Sequence, residues 1–470
     1  MDVERIGTFR FLKKPYILNW LHEEIRTFES EHALPRVVMV ILDGLGDLPV
    51  SELGDRTPLE YANKPNLTKI CSRSICGLLD PISPGVPPSS DTSHMSIFGY
   101  DLSTEYPGRG PFEAAGHNIR MTRGQVAFRF NYATVHREGD VLQVVDRRAG
   151  RIGEPDTKEL TKHLASIKRV DDVAVKFHFT LEHRGVLTLD GKDLSHQVTD
   201  TDPHQENAPL LECQPWAYAS PRDRAEKTAR IVNRVSREVY DCLSVHPINH
   251  GREAQGKLPA NAIVVRGAGV KASIPRFEEK WGLKAACIAA GPLYRGIGHE
   301  LGMDLMSVEG ANGLTNSNFP GKMDKALQIL PDYDFIFVHV KAPDVASHSK
   351  DYREKVRVIE AIDQSLCAFI NNELTHENYL VIASDHSTPC KLGMHSGDSV
   401  PVLIAGPNIR CDHVAEFGER SASAGGLGRL RGPDVMPIVL GLLGRTVEFG
   451  TRPTPKQLIY IPKELKPLKL

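Results

Sequence analysis

The run RVVMVIL at residues 36–42 decides the fold, because this nearly continuous apolar stretch ends in the polar pair Asp43-Gly44. An apolar run without alternation is typical of a strand buried on both faces, as in a parallel sheet. Two more such runs lie far downstream, DFIFVHV at 334–340 and YLVIAS at 379–384. The three runs predict neighbouring strands of one mostly parallel sheet.

A helical segment separates the second run from the third. Residues 351–374 place apolar side chains on one helical face, namely Val356, Ile359, Ile362, Leu366 and Phe369. A strand, a helix and a strand in this order predict a right-handed crossover. We therefore expect an α/β fold in which helices flank the sheet.

The middle of the chain has a different pattern. Residues 120–275 are rich in short alternating segments, such as QVAFRFNYATV and RGVLTL, separated by Gly, Asp and Asn. This pattern favours a smaller α/β domain inserted into the first one. The predicted organisation is an N-terminal extension at 1–35, a main domain at 36–119 and 276–450, an inserted domain at 120–275, and a C-terminal tail at 451–470.

Composition excludes several classes of protein. The 470 residues hold 57 Lys and Arg against 59 Asp and Glu, a net charge of −2, whereas nucleic-acid-binding proteins usually carry a basic surplus. At 41% hydrophobic and 25% charged residues the composition is that of a globular protein. No stretch approaches the roughly 20 apolar residues of a membrane helix. We expect neither a nucleic acid nor a membrane as a partner.

The eight cysteines are scattered and form no C-x-x-C spacing, which favours free thiols in a reducing compartment. The first 32 residues lack the apolar core of a signal peptide and are too acidic for a transit peptide. We therefore expect a cytoplasmic protein. Its assembly is left open, a homo-oligomer included.

Acidic and histidine residues follow each of the three apolar runs: Asp43; Asp344 and His348; Asp385, His386 and His395. Ligands bind beyond the carboxyl ends of strands in open parallel sheets, so these side chains are predicted to converge. Each alone has a plainer interpretation, such as a turn, a helix cap or a surface histidine. Together they would bury so much like charge that a multivalent metal centre becomes the better hypothesis.

The predicted ligands offer oxygen and nitrogen but no thiolate, which favours Mn²⁺, Zn²⁺, Mg²⁺ or Co²⁺. Six ligands divide into two groups of three that leave open positions for a substrate. Enzymes use two neighbouring metal ions to hold both oxygens of an in-line phosphoryl transfer. The sequence thus predicts two divalent ions without identifying the element.

A candidate nucleophile lies in PISPGVPPSSDTSHMSIFGYD at 81–101, which offers Ser89, Ser90, Thr92 and Ser93. A Pro/Gly-rich loop there meets a helix predicted to start near Asp91. Free N–H groups at a helix N-terminus bind phosphate, and a metal ion can activate a serine hydroxyl. The alternative is that Ser90 or Asp91 only caps the helix.

The chain contains, in order, VILDGLGD, TPLEYANKPNLTKI, PSSDTSHMSIFGYD, YPGRGPFEAAG, DRRAGRI, EHRGVL, TDTDPH, HPIN, VVRGAG, DHSTPC, HSGDSVPVLIAG and GGLGRLRGPDVMP. From about residue 36 to 448 it closely resembles the archaeal-type cofactor-independent phosphoglycerate mutases of the alkaline phosphatase superfamily. The resemblance implies interconversion of 3-phosphoglycerate and 2-phosphoglycerate without 2,3-bisphosphoglycerate. It also implies an alkaline-phosphatase-like sheet and a nucleophile at Ser90. One metal ion would be held by Asp344, His348 and His395, the other by Asp43, Asp385, His386 and the Ser90 oxygen.

The inserted domain is expected to supply arginines, which grip carboxylate or phosphate with two parallel hydrogen bonds. The substrate-binding candidates are Asp146, Arg147, Arg148, Arg151, His183, Arg184, Arg266 and Arg295. For Asp146, proton transfer between substrate hydroxyls and a structural salt bridge are both open. The glycine-rich segment 108–116 lacks phosphate-loop spacing and is predicted to be a turn.

Two positions depart from the family pattern. Arg295 stands where the family typically has lysine, and Ser347 stands where a glycine usually precedes the metal-binding histidine. Arginine keeps the charge but cannot easily donate a proton. Both departures could be neutral, or they could mark a relative with an altered substrate.

Two alternatives to the mutase stand. A two-metal phosphatase or phosphotransferase could act on another small phosphorylated metabolite, since one fold serves many phosphoesters. An inactive, ligand-binding relative is the other, and its expected sign is the loss of metal ligands. None of the seven predicted ligands is lost.

Overall fold

A computed structural model describes residues 35–446. The predicted N-terminal extension, except for its last residue, and the predicted tail at 451–470 lie outside the described residues. The strands in chain order are β1 (Val37–Leu42), β2 (Ser74–Asp80), β3 (Val126–Glu138), β4 (Val141–Asp146), β5 (Arg169–Val170), β6 (Val173–Leu181), β7 (Arg184–Asp190), β8 (Ala208–Pro209), β9 (Ala262–Val270), β10 (Ala285–Ile288), β11 (Asp304–Met306), β12 (Phe335–Val340), β13 (Tyr379–Ala383), β14 (Val400–Ala405) and β15 (Gly428–Arg431).

The helices in chain order are α1 (Pro58–Tyr61), α2 (Pro65–Cys71), α3 (Ser90–Ile97), α4 (Arg109–Gly116), α5 (Glu154–Leu164), α6 (Arg222–Ser244), α7 (Pro247–Ala254), α8 (Phe277–Trp281), α9 (Pro292–Glu300), α10 (Phe319–Ile329), α11 (Ala342–His348), α12 (Tyr352–Ser365), α13 (Cys367–Asn371), α14 (Leu374–Glu377), α15 (Glu419–Ala422) and α16 (Gly432–Leu442). Short 3₁₀ helices span Ser51–Leu53 and Leu330–Asp332. Between residues 35 and 446, no helix combines the length and apolar composition that a membrane span requires.

The larger sheet has eight strands in the order β11-β10-β12-β1-β13-β14-β2-β15. Its central strands are parallel, while β14 runs antiparallel to both of its neighbours. The three apolar runs form β12, β1 and β13 side by side, and the crossover from β12 to β13 passes β1. The predicted α/β fold with a mostly parallel sheet is confirmed.

Strand β1 is apolar throughout because both of its faces are covered. Its residues are at most 1% exposed and alternate between two separate cores. Val37, Met39 and Ile41 enter one core. The other core takes the residues between them, Val38, Val40 and Leu42. Burial on two faces removes the alternation that a half-exposed strand would show.

The second sheet is antiparallel and has seven strands. Its path is β5-β6-β7-β3-β4-β8, and β9 pairs with the other edge of β3. All of its strands lie between Val126 and Val270. One face packs on α5 and α6 through residues such as Leu160, Ile231 and Val235. The exact domain boundaries at 120 and 275 stay a prediction.

Two predicted segments differ from the structure. The helix expected over 351–374 is interrupted: α12 ends at Ser365, and α13 and α14 follow as short helices. Leu366 and Phe369 remain buried, so the apolar face continues across the break. The segment 108–116, predicted to be a turn, contains the helix α4 instead.

The helices α4 and α9 pack with their backbones in close contact. A Cβ atom added at Gly296 would overlap the carbonyl of Phe112, and one added at Gly116 would overlap the carbonyl of Pro292. These glycines allow an approach that no larger side chain permits. Helix α4 precedes β3 of the second sheet, and α9 follows β10 of the larger sheet. The contact between these helices therefore connects segments that belong to the two different sheets.

We predict that Gly296→Ala lowers the free energy of unfolding by about 1–3 kcal/mol, the usual range for overpacking a well-packed interior. Urea unfolding followed by circular dichroism measures the change. Gly251→Ala is the matched control, since Gly251 also lies within a helix but has no atom within 4 Å of an added Cβ. That control should be neutral or stabilising by up to about 1 kcal/mol. Equal stability of the two variants would contradict the packing explanation.

Candidate functional site

Three strand ends bring the predicted metal ligands together. Asp43 directly follows β1, whose neighbours are β12 and β13, and Asp385 follows β13 by two residues. Gly44 turns the chain with a φ of +64°, and its N–H donates to the Asp385 carboxylate at 3.1 Å. Asp344 lies in α11, which begins two residues after β12. Side chains separated by about 300 residues thus meet at one sheet edge, as parallel pairing requires.

Two groups of ligand atoms share His386. In one group, single ligand atoms of Asp43, Asp385 and His386 all lie within 4.8 Å of one another. The other group combines His386 with Asp344 and His395 at the same spacing. His386 Nε2 is 3.2 Å from Asp385 Oδ2 and 3.6 Å from Asp43 Oδ1. Among residues 35–446, these are the clusters with the geometry to hold a metal ion.

His348 lies beside the second group. Its Nε2 is 3.3 Å from Asp344 Oδ1, and its Nδ1–H donates to the carbonyl of Gly393 at 2.8 Å. His395 Nε2 approaches the same carboxylate oxygen at 3.6 Å. The spacing of Asp344 and His348 on one helical face is therefore confirmed. The division of ligands implied by the family resemblance, with His348 as a ligand, stays a prediction.

Lys341 holds the two groups together. Its Nζ lies 2.6 Å from Asp344 Oδ2 and 3.1 Å from each oxygen of Asp43. Burial works to raise the pKa of Asp344, but the charge of Lys341, together with His348 and His386, keeps that pKa well below its usual range. Burial, aided by the negative charge of Asp43, raises the pKa of Asp385 well above its usual range. One cation does not balance three buried carboxylates.

The donor set fits divalent metal ions. The Oδ2 atom of Asp385 is buried without a hydrogen-bond partner, although a carboxylate oxygen in such a place normally has one. Burial lowers the pKa of His386 well below its usual range, so the imidazole is neutral and has a lone pair to offer. Carboxylate and imidazole ligands without thiolate suit Mn²⁺, Zn²⁺, Mg²⁺ and Co²⁺.

Ser90 is the first residue of α3, which confirms the helix predicted near Asp91. Its hydroxyl lies 3.1 Å from His386 Nε2, and its side chain is buried. The capping position is Ser89, whose side chain makes no capping hydrogen bond to a backbone N–H of the helix, and Ser90 is therefore not the cap. His94 Nδ1–H donates to the Ser90 carbonyl at 2.6 Å and steadies this first turn. The Ser90 hydroxyl thus lies beside the histidine that both ligand groups share.

The second sheet brings two of the predicted arginines, Arg147 and Arg266, to Asp202. Arg147 forms two hydrogen bonds with this buried carboxylate, at 2.7 and 2.6 Å. Arg266 Nη1 lies 3.8 Å from the same group. Asp146 accepts the backbone N–H of Arg148 at 2.6 Å, which favours a structural role in the turn after β4.

His183 and Arg184 present buried nitrogen atoms that lack hydrogen-bond partners, Nδ1 and Nε respectively, although Glu182 Oε2 lies 3.8 Å from His183 Nδ1. Burial, together with the positive charges of Arg184 and Arg148, lowers the pKa of His183 to about 3. Arg151 adds to the same field, and the side chains of Arg148 and Arg151 are exposed. A cationic surface with unpartnered donors is suited to an anion.

Arg295 does not belong to the second sheet with the other predicted arginines but lies in helix α9. Its Nη1 donates to the carbonyl of Ala289, which follows β10, and to the carbonyl of Met306, the last residue of β11. The other departure from the family pattern, Ser347, is fully buried and its hydroxyl donates to the Pro343 carbonyl at 2.9 Å. The extra hydroxyl is therefore satisfied inside α11.

The sequence did not single out three residues that link the two sheets. Arg109 Nη1 lies 3.6 Å from Asp91 Oδ1, next to Ser90. Glu113 accepts from Arg109 Nε at 3.0 Å and from Arg129 Nη1 at 3.4 Å, and Arg129 Nε is buried without a partner. Arg129 could have been found from the sequence, because it is a charged residue within the alternating apolar pattern of β3. Arg109 and Glu113 could not, because they lie in the segment 108–116, which was expected to be a turn.

Three further residues around Asp43 were also missed. Tyr294 O–H donates to Asp43 Oδ2 at 2.5 Å, and His339 Nε2–H donates to the same oxygen at 2.9 Å. The rings of Tyr294 and His339 stack at 3.5 Å. The signal was present for His339 and Lys341, because the first interrupts the apolar run 334–340 and the second follows it.

The fold and this cluster define a class: α/β proteins that gather carboxylates, histidines and a serine at the carboxyl edge of a mostly parallel sheet, an arrangement suited to metal-assisted phosphoryl transfer. Within that class the chain belongs to the 2,3-bisphosphoglycerate-independent phosphoglycerate mutases. The model of that family matches residues 71–249. The resemblance found in the sequence is confirmed.

Individual relatives extend the similarity to most of the chain. The 2,3-bisphosphoglycerate-independent phosphoglycerate mutase of Pyrococcus abyssi is 43% identical over 416 residues, which are 88% of this chain and 98% of the relative. The structure of a Pyrococcus horikoshii protein aligns with a TM-score of 0.75 and 36% identity, over 89% of this chain and 99% of that one. The cofactor-independent phosphoglycerate mutase of Thermoplasma acidophilum aligns with a TM-score of 0.61 and 34% identity, over 87% and 100%.

The ion pairs of Glu113 predict a pH-dependent stability. Burial works to raise the pKa of this carboxyl, but Arg129 and Arg109 outweigh it and lower the pKa to about 2. The folded state therefore binds the proton more weakly than the unfolded state. Its contribution, at most about 3 kcal/mol, is complete above the unfolded pKa and is lost as the pH falls towards 2.

We predict that Glu113→Gln is less stable than the native chain at pH 7 and that this difference shrinks by more than half at pH 3. The test is to measure the urea concentration at the midpoint of unfolding for both proteins at pH 7, 5 and 3, in buffer that contains a metal chelator. Glu159→Gln, which removes an exposed carboxylate paired with Lys162, is the control and should show little difference at any pH. A gap of constant size would show that the Glu113 charge is not what stabilises the fold.

Proposed function

We propose that this chain interconverts 3-phosphoglycerate and 2-phosphoglycerate through a phosphoserine at Ser90, without 2,3-bisphosphoglycerate. The observation that supports this most directly is the Ser90 hydroxyl at a helix N-terminus, 3.1 Å from the histidine that both ligand groups share. A serine in this place can receive a phosphoryl group and return it. The family's name specifies the same substrate class and the independence from 2,3-bisphosphoglycerate.

Two divalent ions would complete the site. We assign Asp43, Asp385, His386 and the Ser90 oxygen to one, and Asp344, His348 and His395 to the other, with His386 placed to contribute to both. Mn²⁺, Zn²⁺, Mg²⁺ and Co²⁺ all suit these ligands. Such ions lower the pKa of a bound hydroxyl and neutralise the charge of a transferring phosphoryl group.

The serine accounts for both half-reactions. Ser90 Oγ gives up its proton and attacks the phosphorus of 3-phosphoglycerate, the bond from phosphorus to the C3 oxygen breaks, and that oxygen takes up a proton. Glycerate then turns within the site, its C2 hydroxyl loses a proton and attacks the phosphoserine, and the bond from phosphorus to Ser90 Oγ breaks as that oxygen takes up a proton. Glycerate must stay bound and water must stay out between the two transfers.

The arginines of the second sheet would hold the glycerate meanwhile. We propose that Arg147, Arg266, Arg184, Arg148 and Arg151 bind its carboxylate or phosphate, with His183 as a neutral donor or acceptor. We also propose that residues 120–275 form a domain that closes on the main domain, which comprises 36–119 and 276–450. We propose a cytoplasmic location for the protein. Lys341, between Asp43 and Asp344, would stabilise negative charge near the transferring group.

We predict that Ser90→Ala loses more than about 10³-fold of mutase turnover, because the phosphoryl group has no acceptor. The assay follows 2-phosphoglycerate formed from 3-phosphoglycerate by coupled enolase absorbance, with each of the four metal ions added to chelator-treated protein. Ser89→Ala is the matched control: its hydroxyl only contacts Thr92, and its turnover should stay within a few-fold of native.

The products separate the mutase from its alternatives. Formation of 2-phosphoglycerate without 2,3-bisphosphoglycerate supports the proposal. Net release of inorganic phosphate as the main product would instead identify a phosphatase. Full turnover of Ser90→Ala would exclude the serine as nucleophile.

We predict that Arg184→Gln raises KM for 3-phosphoglycerate about 10- to 100-fold, the effect of losing one hydrogen bond between charged groups. The affinity for metal ions should not change, because Arg184 belongs to neither ligand group. Steady-state kinetics and calorimetric metal titration measure the two quantities. The exposed Arg222, paired with Glu226, gives the control Arg222→Gln, which should keep the native KM.

A further inference from the structure

Lys355 is a fully buried lysine in α12 that the proposed mechanism does not use. Lysine is almost never fully buried unless its charge is paired. Its Nζ donates to Asp47 Oδ2 at 2.9 Å, to the Gly46 carbonyl at 3.1 Å and to the Thr388 carbonyl at 3.2 Å. All three protons of the ammonium group are therefore used.

These bonds join two loops that bear metal ligands. Gly46 and Asp47 belong to the loop after β1, which begins with Asp43, while Thr388 belongs to the loop after β13, which begins with Ser384. Asp47 strengthens the connection, because both of its oxygens accept the backbone N–H of Cys390 at 3.1 Å. A buried ion pair thus fixes the position of one ligand loop relative to the other.

Thr388 connects the Lys355–Asp47 ion pair to two of the proposed metal ligands, Asp344 and His386. Its hydroxyl donates to Asp344 Oδ1 at 2.9 Å and lies 3.0 Å from His386 Nδ1. Because the single hydroxyl proton goes to Asp344, the His386 ring donates its Nδ1–H to the Thr388 oxygen. The Nε2 atom is then the unprotonated one, and it faces Asp385 and Ser90. Such outer partners set the tautomer and orientation of a metal-binding histidine.

We propose that Lys355 and Thr388 are positioning residues of the metal centre: the Lys355–Asp47 ion pair sets the loop, and the Thr388 hydroxyl sets His386 and Asp344 for the two ions. This inference rests on the metal centre proposed above. Both side chains are fully buried, which keeps them away from a substrate that enters from solvent. Their effect is on metal affinity, which separates them from the arginines of the second sheet.

The first test is Thr388→Val, which removes the hydroxyl and keeps the shape of the side chain. Calorimetric titration of chelator-treated protein with Mn²⁺ alone should give a Kd raised about 10- to 100-fold. This is the usual loss of metal affinity when a residue that hydrogen-bonds to a metal ligand is removed. KM for 3-phosphoglycerate at saturating Mn²⁺ should stay within about twofold. Thr388→Ser restores the hydroxyl and should recover the native Kd.

Thr228→Val is the matched control. Thr228 is likewise fully buried, and its hydroxyl accepts from Ser195 N–H and donates to the Arg224 carbonyl in the second sheet's helix layer. It should lower the Tm of the metal-free protein without changing the Kd for Mn²⁺. A purely structural role for Thr388 would give the same result as this control.

The second test concerns the ion pair. Lys355→Met alone leaves Asp47 buried and unpaired, which destabilises the fold strongly, so Lys355→Met is combined with Asp47→Asn. The double variant should fold and still bind Mn²⁺ about tenfold more weakly, because the carbonyls of Gly46 and Thr388 have lost their donor. Lys64→Met, which removes another buried lysine paired with Glu416, should keep the native Kd.

The outcomes distinguish the positioning role from the metal centre itself. Native Kd values in Thr388→Val and in the double variant would overturn the positioning role while leaving the proposed mutase intact. A native chain that binds no Mn²⁺ and forms no 2-phosphoglycerate would overturn both. Weakened Mn²⁺ binding that Thr388→Ser restores supports the inference.

Discussion

The structure depends on one electrostatic constraint: Asp43, Asp344 and Asp385 lie fully buried at the same edge of a sheet, with Lys341 as the cation among them. Each carboxylate taken from water is costly unless charge and hydrogen bonds compensate it. Parallel pairing of β12, β1 and β13 forces the three to meet, and two apolar cores shield the strands beneath them. The donors on Tyr294 and His339 and the demand for further cations follow from that convergence.

The sequence predicted this edge well because one feature revealed both the strand and the ligand. The apolar run 36–42 marks a doubly buried strand, and the first polar residue after it marks the strand's end and the candidate ligand together. The prediction needed no knowledge of the long segments between the runs. The same logic covered Asp344 and Asp385, since parallel topology alone fixes where the three ends lie.

Other parts could not be predicted because sequence patterns do not report close packing or distant pairing. The glycines of 108–116 suggested a turn, but Gly110 and Gly116 are needed where α4 touches the backbones of Ala127 and Pro292. Arg109 and Glu113 were therefore overlooked. The helical periodicity likewise continued past Ser365, because Leu366 and Phe369 enter the same apolar core as Ile362 although the helix is interrupted between them. Arg147 meets Asp202 only through the fold of the second sheet.

The order of the strands in the larger sheet also determines when the two ligand groups can come together during translation. These groups run from Asp43 to His395, and every strand of the second sheet is made after Asp43 and before Asp344, Asp385, His386 and His395. A nascent chain that has passed β9 can complete the antiparallel sheet, yet β1 still lacks both parallel neighbours. Contacts over such sequence distances form slowly and late. Both ligand groups are therefore complete only once the chain has been made as far as His395, and a chain that ends at β9 lacks Asp344, Asp385, His386 and His395.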